Sequence, residues 1–431
     1  MVATAGGVGL GGFWSWKRLR LQATLAGIQS DIQQARPGLA NRKLVEVLKR
    51  DPDCDEAIYL LGVCQKARGQ FDLSFQTLGR VRPGTPFTVP SILERGMMLA
   101  TAGRLADLER LATHSLADPR IDPAGPRWFL VPFYWREGRR LEARRMIKTS
   151  WDDILFTRQG TLDQAVKLVR MHMEWSLSPP SIEETGGFLE QAEARAPDDP
   201  RVWLGKANLA IRAGSLAEAA RWIDATLKRE PEDAPAWRAR LDWAVASGKL
   251  PEARVAMDHL STDWATPVLI PALTAWFAAQ NGDLSTEKHA LETLLANDPN
   301  QPVVLDRLAV LGGSKAGTSR RLELGRMMAR YQRLFDRDQP GRDAPELASI
   351  AEHLGRWFEA RAFWAIAQAT GWSVPNLDGA IARLKARDTF QTNPDKNART
   401  LADLIAPVVA GKPTPSSRAN ARAAAEVILN E

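Results

Sequence analysis

Apolar residues recur three and four positions apart along most of the chain, with polar residues between them. From Trp203, for example, Ala207 and Ala210 follow at intervals of four and three, and a second series begins at Leu216, after Gly214. This spacing places the apolar side chains on one face of an α-helix. A glycine between two such segments favours a left-handed cap, which ends the first helix. The pattern therefore predicts an all-α protein built from antiparallel helix pairs.

The turn glycines and the closing prolines return with one period. Gly214, Gly248 and Gly282 follow one another at 34 and 34 residues, and Pro197 and Pro231 are also 34 residues apart. A proline ends each unit because it cannot continue a helix interior. One helix pair cannot bury its apolar face alone, whereas stacked pairs can. The period therefore predicts a solenoid of repeated helix pairs.

The order of landmark residues resembles the tetratricopeptide repeat (TPR) family. One unit shows the order from large apolar residue to closing proline: Trp203, Ala207, Ala210, Gly214, Leu216, Ala219, Ile223 and Pro231. The resemblance covers most of residues 40–375 and implies a right-handed superhelical solenoid. We place unit starts near residues 21, 55, 89, 124, 166, 200, 234, 268, 302 and 341. Two units depart from the pattern: Pro179-Pro180 replaces one turn glycine, and the unit near 302 has five extra residues.

The first sixteen residues contain no charged side chain. This run ends in aromatic residues, and basic residues follow it: Phe13, Trp14, Trp16, Lys17, Arg18 and Arg20. We therefore interpret residues 1–20 as a membrane anchor, whole or truncated, that associates through residues 1–16. Sixteen helical residues span about 24 Å, less than the roughly 30 Å hydrocarbon core, so a disordered glycine-rich tail is the alternative.

Membrane sidedness stays open at this stage. The basic cluster taken literally places the repeats on the cytoplasmic side, whereas a basic segment upstream would place them in the periplasm or outside the cell. Along the rest of the chain, we predict a repeat array over residues 21–375. Residues 376–431 are predicted to form capping helices and a loose tail, with a turn-rich linker over 411–417 and a short helix over 419–429.

Composition argues against several other classes. The net charge is +6, with 57 basic and 51 acidic residues over 431 positions, and we expect no nucleic-acid partner. Cys54 and Cys64 would lie roughly 13–15 Å apart on a helix, too far for a disulfide, and are predicted to be free thiols. The basic segment from Lys315 to Arg333 is interpreted as a solvated helix face, with contact to nucleic acid or anionic lipid as the alternative.

No catalytic, cofactor or metal signature emerges. The G-x-G-x-x-G match at Gly7–Gly12 has no room for a preceding strand, so a dinucleotide site is not expected. The histidines lack metal-ligand spacing: His114, His172, His259, His289 and His353. Around His172, the run Met171–Glu174 points adjacent side chains to different helix faces and cannot form a copper site. We therefore predict no enzyme activity and no cofactor.

The TPR resemblance implies ligand binding along the concave surface of the first helices. The positions predicted to face outward there, and hence to bind a partner, are Tyr59, Lys66, Arg201, Leu204, Asn208, Arg238, Asp242, Trp276 and Gln280. Asn208 matches an asparagine that some TPR domains use to hold a peptide carboxylate. Leu204 and Ala239 stand where further polar donors would be needed, so a chaperone-tail clamp is disfavoured.

These observations favour a non-catalytic, membrane-associated scaffold that binds a peptide or protein partner in the TPR groove. One alternative is an accessory subunit of a cell-envelope enzyme or of a secretion or assembly complex. Another is an enzyme with a site hidden between repeats, which would require a pocket lined by two or more titratable side chains. The partner's identity and the oligomeric state do not follow from the sequence.

Overall fold

The computed structural model describes residues 7–157, 161–299, 301–312, 316–388, 399–412 and 421–431, with the main chain alone for 7–18, 155–157, 316–319 and 388. The helices of these segments are α1 Gly7–Gln33, α2 Pro37–Arg50, α3 Asp55–Ala67, α4 Phe71–Leu78, α5 Thr88–Thr101, α6 Leu105–Ala117, α7 Ala124–Arg136, α8 Arg140–Thr157, α9 Leu162–Leu177, α10 Ile182–Arg195, α11 Pro200–Ala213, α12 Leu216–Arg229, α13 Ala234–Ala246, α14 Leu250–His259, α15 Leu269–Asn281, α16 Leu284–Asn297, α17 Pro302–Gly312, α18 Ala316–Arg337, α19 Pro340–His353, α20 Trp357–Ala369, α21 Leu377–Asp388, α22 Leu401–Val409 and α23 Arg422–Asn430. The all-α prediction is confirmed.

Helix pairs follow one another as the period predicts. The first helices are α3, α5, α7, α9, α11, α13, α15, α17 and α19, and each is followed by its second helix. The glycines at seven of these internal turns have φ between 66° and 77°: Gly69, Gly103, Gly138, Gly214, Gly248, Gly282 and Gly355. A side chain in this left-handed region is strained, so glycine occupies these seven turns.

Both departures from the repeat have a local explanation. At Pro179-Pro180, α9 ends at Leu177 and α10 begins at Ile182, and a capping box replaces the glycine turn. The Ser181 hydroxyl accepts from the Glu184 main-chain N–H at 3.0 Å, and the Glu184 carboxylate accepts from the Ser181 N–H at 2.9 Å. The extra residues of the unit near 302 fall in a lengthened second helix, because α18 has 22 residues where α12 has 14.

The amino-terminal helix α1 has 27 residues and extends into the first predicted repeat. Within the described part of the chain, no helix combines the length and apolar character needed to cross a membrane. Residues 1–6, where the predicted anchor begins, lie outside the described residues.

The chain divides into two compact units. Unit 1 covers residues 1–130 and unit 2 covers residues 131–431. In unit 1, the helices α1, α2 and α3 share a core of Leu25, Ile28, Ala40, Leu44, Val47, Ala57, Leu60, Leu61 and Cys64. Cys54 and Cys64 are both free, as predicted, and burial raises the pKa of the Cys64 thiol to about 11.

Unit 2 has two principal cores. One joins α11 to α17 with α22 and α23, and the other joins α8 and α9 to α18, α19 and α20. In the second core, α20 packs on α9, nearly two hundred residues earlier in the chain. Trp151 of α8 meets Phe358 of α20 edge to face, with ring centroids 6.1 Å apart. The last repeats of unit 2 therefore pack against its first ones.

Candidate partner-binding surface

In unit 1, the predicted positions on α3 meet side chains of the next repeat. The Lys66 ammonium pairs with the Glu94 carboxylate at 2.6 Å, and the Tyr59 ring lies 5.6 Å from the Phe87 ring. Burial, with Glu94 nearby, raises the pKa of the Tyr59 phenol. Both side chains are only half-buried, so each still presents surface to solvent.

Two large apolar side chains occupy repeat positions equivalent to predicted partner-binding residues. Trp128 stands fifth in its unit, as Tyr59 does, and Met97 stands ninth in its unit, as Asn208 does. Met97 is 51% exposed and Trp128 is 44% exposed. The helices that carry them, α5 and α7, pack closely. A Cβ added at Gly96 would stand only 2.9 Å from the Phe129 ring. We call Tyr59, Lys66, Glu94, Met97 and Trp128 the unit 1 inner face.

In unit 2, two predicted partner-binding residues instead contact other repeats of the same chain. The Arg201 guanidinium donates two hydrogen bonds to the Asp233 carboxylate, at 2.7 and 2.8 Å. The Asn208 amide donates to the main-chain oxygen of Glu137 at 2.7 Å. Gly138 makes room for this contact, since a Cβ there would stand 2.8 Å from the Asn208 Cβ. The match of Asn208 to a ligand-binding asparagine thus coincides with a contact inside the protein.

Four predicted positions are not open to solvent, and the expectation that they face outward is wrong. Leu204, Trp276, Gln280 and Arg238 are 0%, 1%, 2% and 9% exposed. Trp276 and Gln280 belong to α15, on which α23 and α22 pack. The carboxy-terminal helices therefore bury the helix that the sequence pattern assigned to the groove.

The helix α23 lies on the first helices of three successive repeats. It packs on α13, α15 and α17, and we call the surface that these helices present to it the unit 2 groove. The buried residues of α23 are Ala423, Ala424, Val427 and Ile428, whereas Arg422 and Asn430 are exposed. This is the spacing of a helix that lays one apolar face into a groove.

Polar contacts fix the carboxy-terminal end of α23. The Arg238 guanidinium donates to the main-chain oxygen of Ile428 at 3.2 Å, and Arg144 donates to the main-chain oxygen of Glu431 at 3.0 Å. The Thr266 hydroxyl donates to the Glu431 carboxylate, whose other oxygen lies 3.8 Å from the Arg238 guanidinium. Helix carbonyls at this end lack partners within the helix, and the helix dipole is negative here, so arginines suit it.

The charges at this end of the groove are buried together. The Glu431 side chain is 5% exposed, and Arg238 also pairs with the Asp242 carboxylate at 2.9 Å. Burial raises the pKa of the Glu431 and Asp242 carboxyls. Burial, with Arg356 nearby, lowers the pKa of the Arg144 guanidinium. A carboxylate at Glu431 therefore favours the charged form of Arg144, as Glu359 and Asp298 also do.

A second buried polar cluster joins α9, α18 and α20. The Glu359 carboxylate accepts from the His172 Nδ1 at 2.8 Å, from the Tyr331 hydroxyl at 2.5 Å and from the Arg356 Nη2 at 2.7 Å. Although burial opposes its charge, Arg356 and His172 hold the pKa of Glu359 far below its ordinary range. Burial lowers the pKa of His172. Burial therefore favours the neutral form of this ring, which contacts Glu359 through Nδ1.

A cavity of about 200 Å³ lies beside this cluster and beside Glu431. Its lining includes Arg144, Lys148, His172, Arg356, Arg387 and Glu359. It meets the condition that the enzyme hypothesis set, a pocket between repeats with several titratable side chains. His172 and Arg356 both bind Glu359, however, and the Ser176 hydroxyl donates to the main-chain oxygen of Met173 at 2.9 Å. This pairing favours a structural role for the cluster.

The remaining candidates from the sequence, the His172 segment and the basic helix α18, make ordinary packing and ion-pair contacts. The His172 ring packs 4.7 Å from the Phe358 ring, in agreement with a helix-packing role. Within the described segments, no group of three or more His, Cys, Asp or Glu side chains could hold a metal ion. On α18, Arg321 pairs with Asp306 at 2.6 Å and Arg330 pairs with Glu346. Lys315 lies outside the described residues.

The helix pairs, the left-handed glycine turns and the 34-residue period define a helical repeat solenoid. Residues 183–241 match the tetratricopeptide repeat family model, and helix pairs of the same kind continue on both sides of that match. Residues 183–241 are thus similar to tetratricopeptide repeats, and the helix pairs on both sides repeat the same arrangement. No curated protein matches its sequence.

This chain is also similar to several solved structures, three of which follow. A tetratricopeptide repeat protein from Parabacteroides merdae has 15% identity and a TM-score of 0.26, covering 55% of this chain and 90% of its own. The APC/C hetero-tetramer Cut9-Hcn1 has 14% identity and a TM-score of 0.24, covering 89% of each chain. Yeast Tom70 has 10% identity and a TM-score of 0.24, covering 86% of this chain and 96% of its own. At these values the fold assignment rests on the helix pairs and the family model.

Proposed function

We propose that this protein is a non-catalytic scaffold that binds a partner protein on the unit 1 inner face. The exposure of Met97 and Trp128 on adjacent first helices carries the proposal. Stacked helical repeats form extended surfaces on which proteins bind. Within such surfaces, aromatic and methionine side chains supply much of the contact energy.

The charges of the unit 1 inner face suit a partner segment with both apolar and polar side chains. Lys66 and Glu94 neutralise each other, and their side chains are 30% and 25% exposed. A half-exposed ion pair contributes little to stability, so it can exchange partners at small energetic cost. The apolar contacts at Met97 and Trp128 therefore supply affinity, and the ion pair supplies orientation.

Site-specific photo-crosslinking tests the proposal directly. A benzophenone amino acid placed at Met97 or at Trp128 in the full chain should form one discrete adduct with a partner protein in cells. The matched control is Leu73 on α4, a second helix, because it is 48% exposed and so as accessible as Met97. Adducts of the same pattern at Leu73 and Met97, or adducts at Leu73 alone, would contradict the assignment.

A further inference from the structure

The unit 2 groove already holds a helix, and that helix is short. The nine residues of α23 present Ala423, Ala424, Val427 and Ile428 to the groove. An isolated helix of this length is not stable in water, since helices shorter than about 12 residues are marginal even with favourable sequences. α23 therefore keeps its helical form through its contacts with α13, α15 and α17.

The apolar contacts of α23 are small, and hydrogen bonds fix its last turn. Only Val427 and Ile428 bring branched apolar side chains, while the other buried positions are alanines. At the end of the helix, Arg144, Arg238 and Thr266 contact Ile428 and Glu431. The helix that the groove accommodates thus has small residues along one face and a carboxylate at its last turn.

The helix α23 follows α22 closely in the sequence, with eight residues between Lys412 and Ala421. α22 itself is held on α14 and α15, where the Asn281 amide donates to the Val408 main-chain oxygen at 2.7 Å. A short tether gives an effective concentration of about millimolar, so a weakly held helix still fills its site.

We infer that the unit 2 groove is a second binding site, which takes a partner's amphipathic helix with a small-residue face and an acidic side chain at its carboxy-terminal turn. α23 is the internal competitor that occupies this site until such a helix displaces it. The inference goes beyond the binding proposed for the unit 1 inner face, because a different surface and a different ligand chemistry carry it.

The test uses full-length chains and a fluorescent peptide of residues 421–431. Ile428→Asp places a charge on the buried face of α23, and the matched control Asn430→Asp places the same charge on its exposed side. The peptide should bind the Ile428→Asp chain about tenfold more tightly than either the wild-type or the Asn430→Asp chain, because the tethered competitor has left the groove. A peptide with Glu431→Gln should bind the Ile428→Asp chain about tenfold less tightly, because it lacks the carboxylate.

A second variant keeps the test decisive if Ile428→Asp does not fold. Lengthening the connection by twenty glycine and serine residues leaves both the helix and the groove unaltered. The effective concentration of α23 should then fall about sixfold, and peptide affinity should rise by the same factor. Peptide affinity that is unchanged by the longer connection, or that is equal for the Ile428→Asp and Asn430→Asp chains, would overturn the inference. Equal binding of the two peptides would overturn the carboxylate requirement. Crosslinking at Met97 reports on the unit 1 proposal separately.

Discussion

Glu359→Gln should lower the free energy of unfolding of unit 2 by about 3–5 kcal/mol, because it leaves a buried guanidinium without its counter-charge. Glu359 is 1% exposed and Arg356 is 17% exposed. The amide can accept one hydrogen bond from Tyr331 or His172, but it cannot neutralise Arg356. Since these side chains belong to α9, α18 and α20, the packing of the last repeats on the first ones should loosen.

Denaturant unfolding followed by tryptophan fluorescence measures the effect. The matched control is Glu352→Gln in the preceding helix, whose carboxylate pairs with Arg383 at 3.1 Å with 32% and 57% of the two side chains exposed. A partly exposed pair of this kind contributes at most about 1 kcal/mol. Equal losses for Glu359→Gln and Glu352→Gln would contradict the account of the buried cluster.

The contribution of Glu359 to the free energy of unfolding should also decrease at low pH. Its pKa in the folded protein lies far below its ordinary value, so its stabilisation is present above about pH 4.3 and is lost as the pH falls further. The stability difference between wild type and Glu359→Gln should therefore narrow when the same unfolding experiment is repeated from pH 5 to pH 3.

Gly355→Ala should destabilise the protein more than Gly214→Ala, although both glycines have nearly the same φ, 74° and 76°. The left-handed conformation alone costs alanine about 1–2 kcal/mol. At Gly214 nothing lies within 4 Å of the added Cβ, whereas at Gly355 it would stand 2.3 Å from the Pro299 Cδ and 3.2 Å from the Asp298 Cα. Overpacking of this kind adds about 1–3 kcal/mol.

This pair separates backbone strain from packing. The loss for Gly214→Ala measures the strain, and the excess for Gly355→Ala measures the contact between the α19–α20 turn and Pro299. Thermal unfolding of both variants beside wild type gives the comparison. Equal shifts in midpoint temperature would show that the close approach at Pro299 has no energetic effect.

The repeat fold could be predicted because its signals are local. A glycine at a left-handed turn and a proline after the second helix each depend on residues within one helix pair. The length of the period then follows from the stacking of identical pairs. The same local signals predict that Asn208 and Arg201 lie on first helices. They do not predict that these residues bind Glu137 and Asp233.

The burial of the groove depends on contacts that no periodic pattern encodes. Arg238 and Ile428 are 190 residues apart, and His172 and Glu359 are 187 residues apart. One signal was present for α15: the run from Ala275 to Gln280 is almost wholly apolar around the helix, and a helix that is apolar on all sides is a buried one. This composition indicates a buried Trp276, although the repeat register predicts that it faces the groove.

Native-state hydrogen exchange of the full chain tests most directly whether the helix bound in the unit 2 groove is a reversible ligand. The measurement compares the amides of Val427–Asn430 in α23 with those of Ala275–Ala278 in α15, on which α23 packs. We expect the α23 amides to exchange through a local opening, well before those of α15, because α23 leaves the groove while the repeats stay folded. Exchange of both sets at one rate, in a single cooperative opening, would show that α23 is a permanent part of the core and would contradict the account.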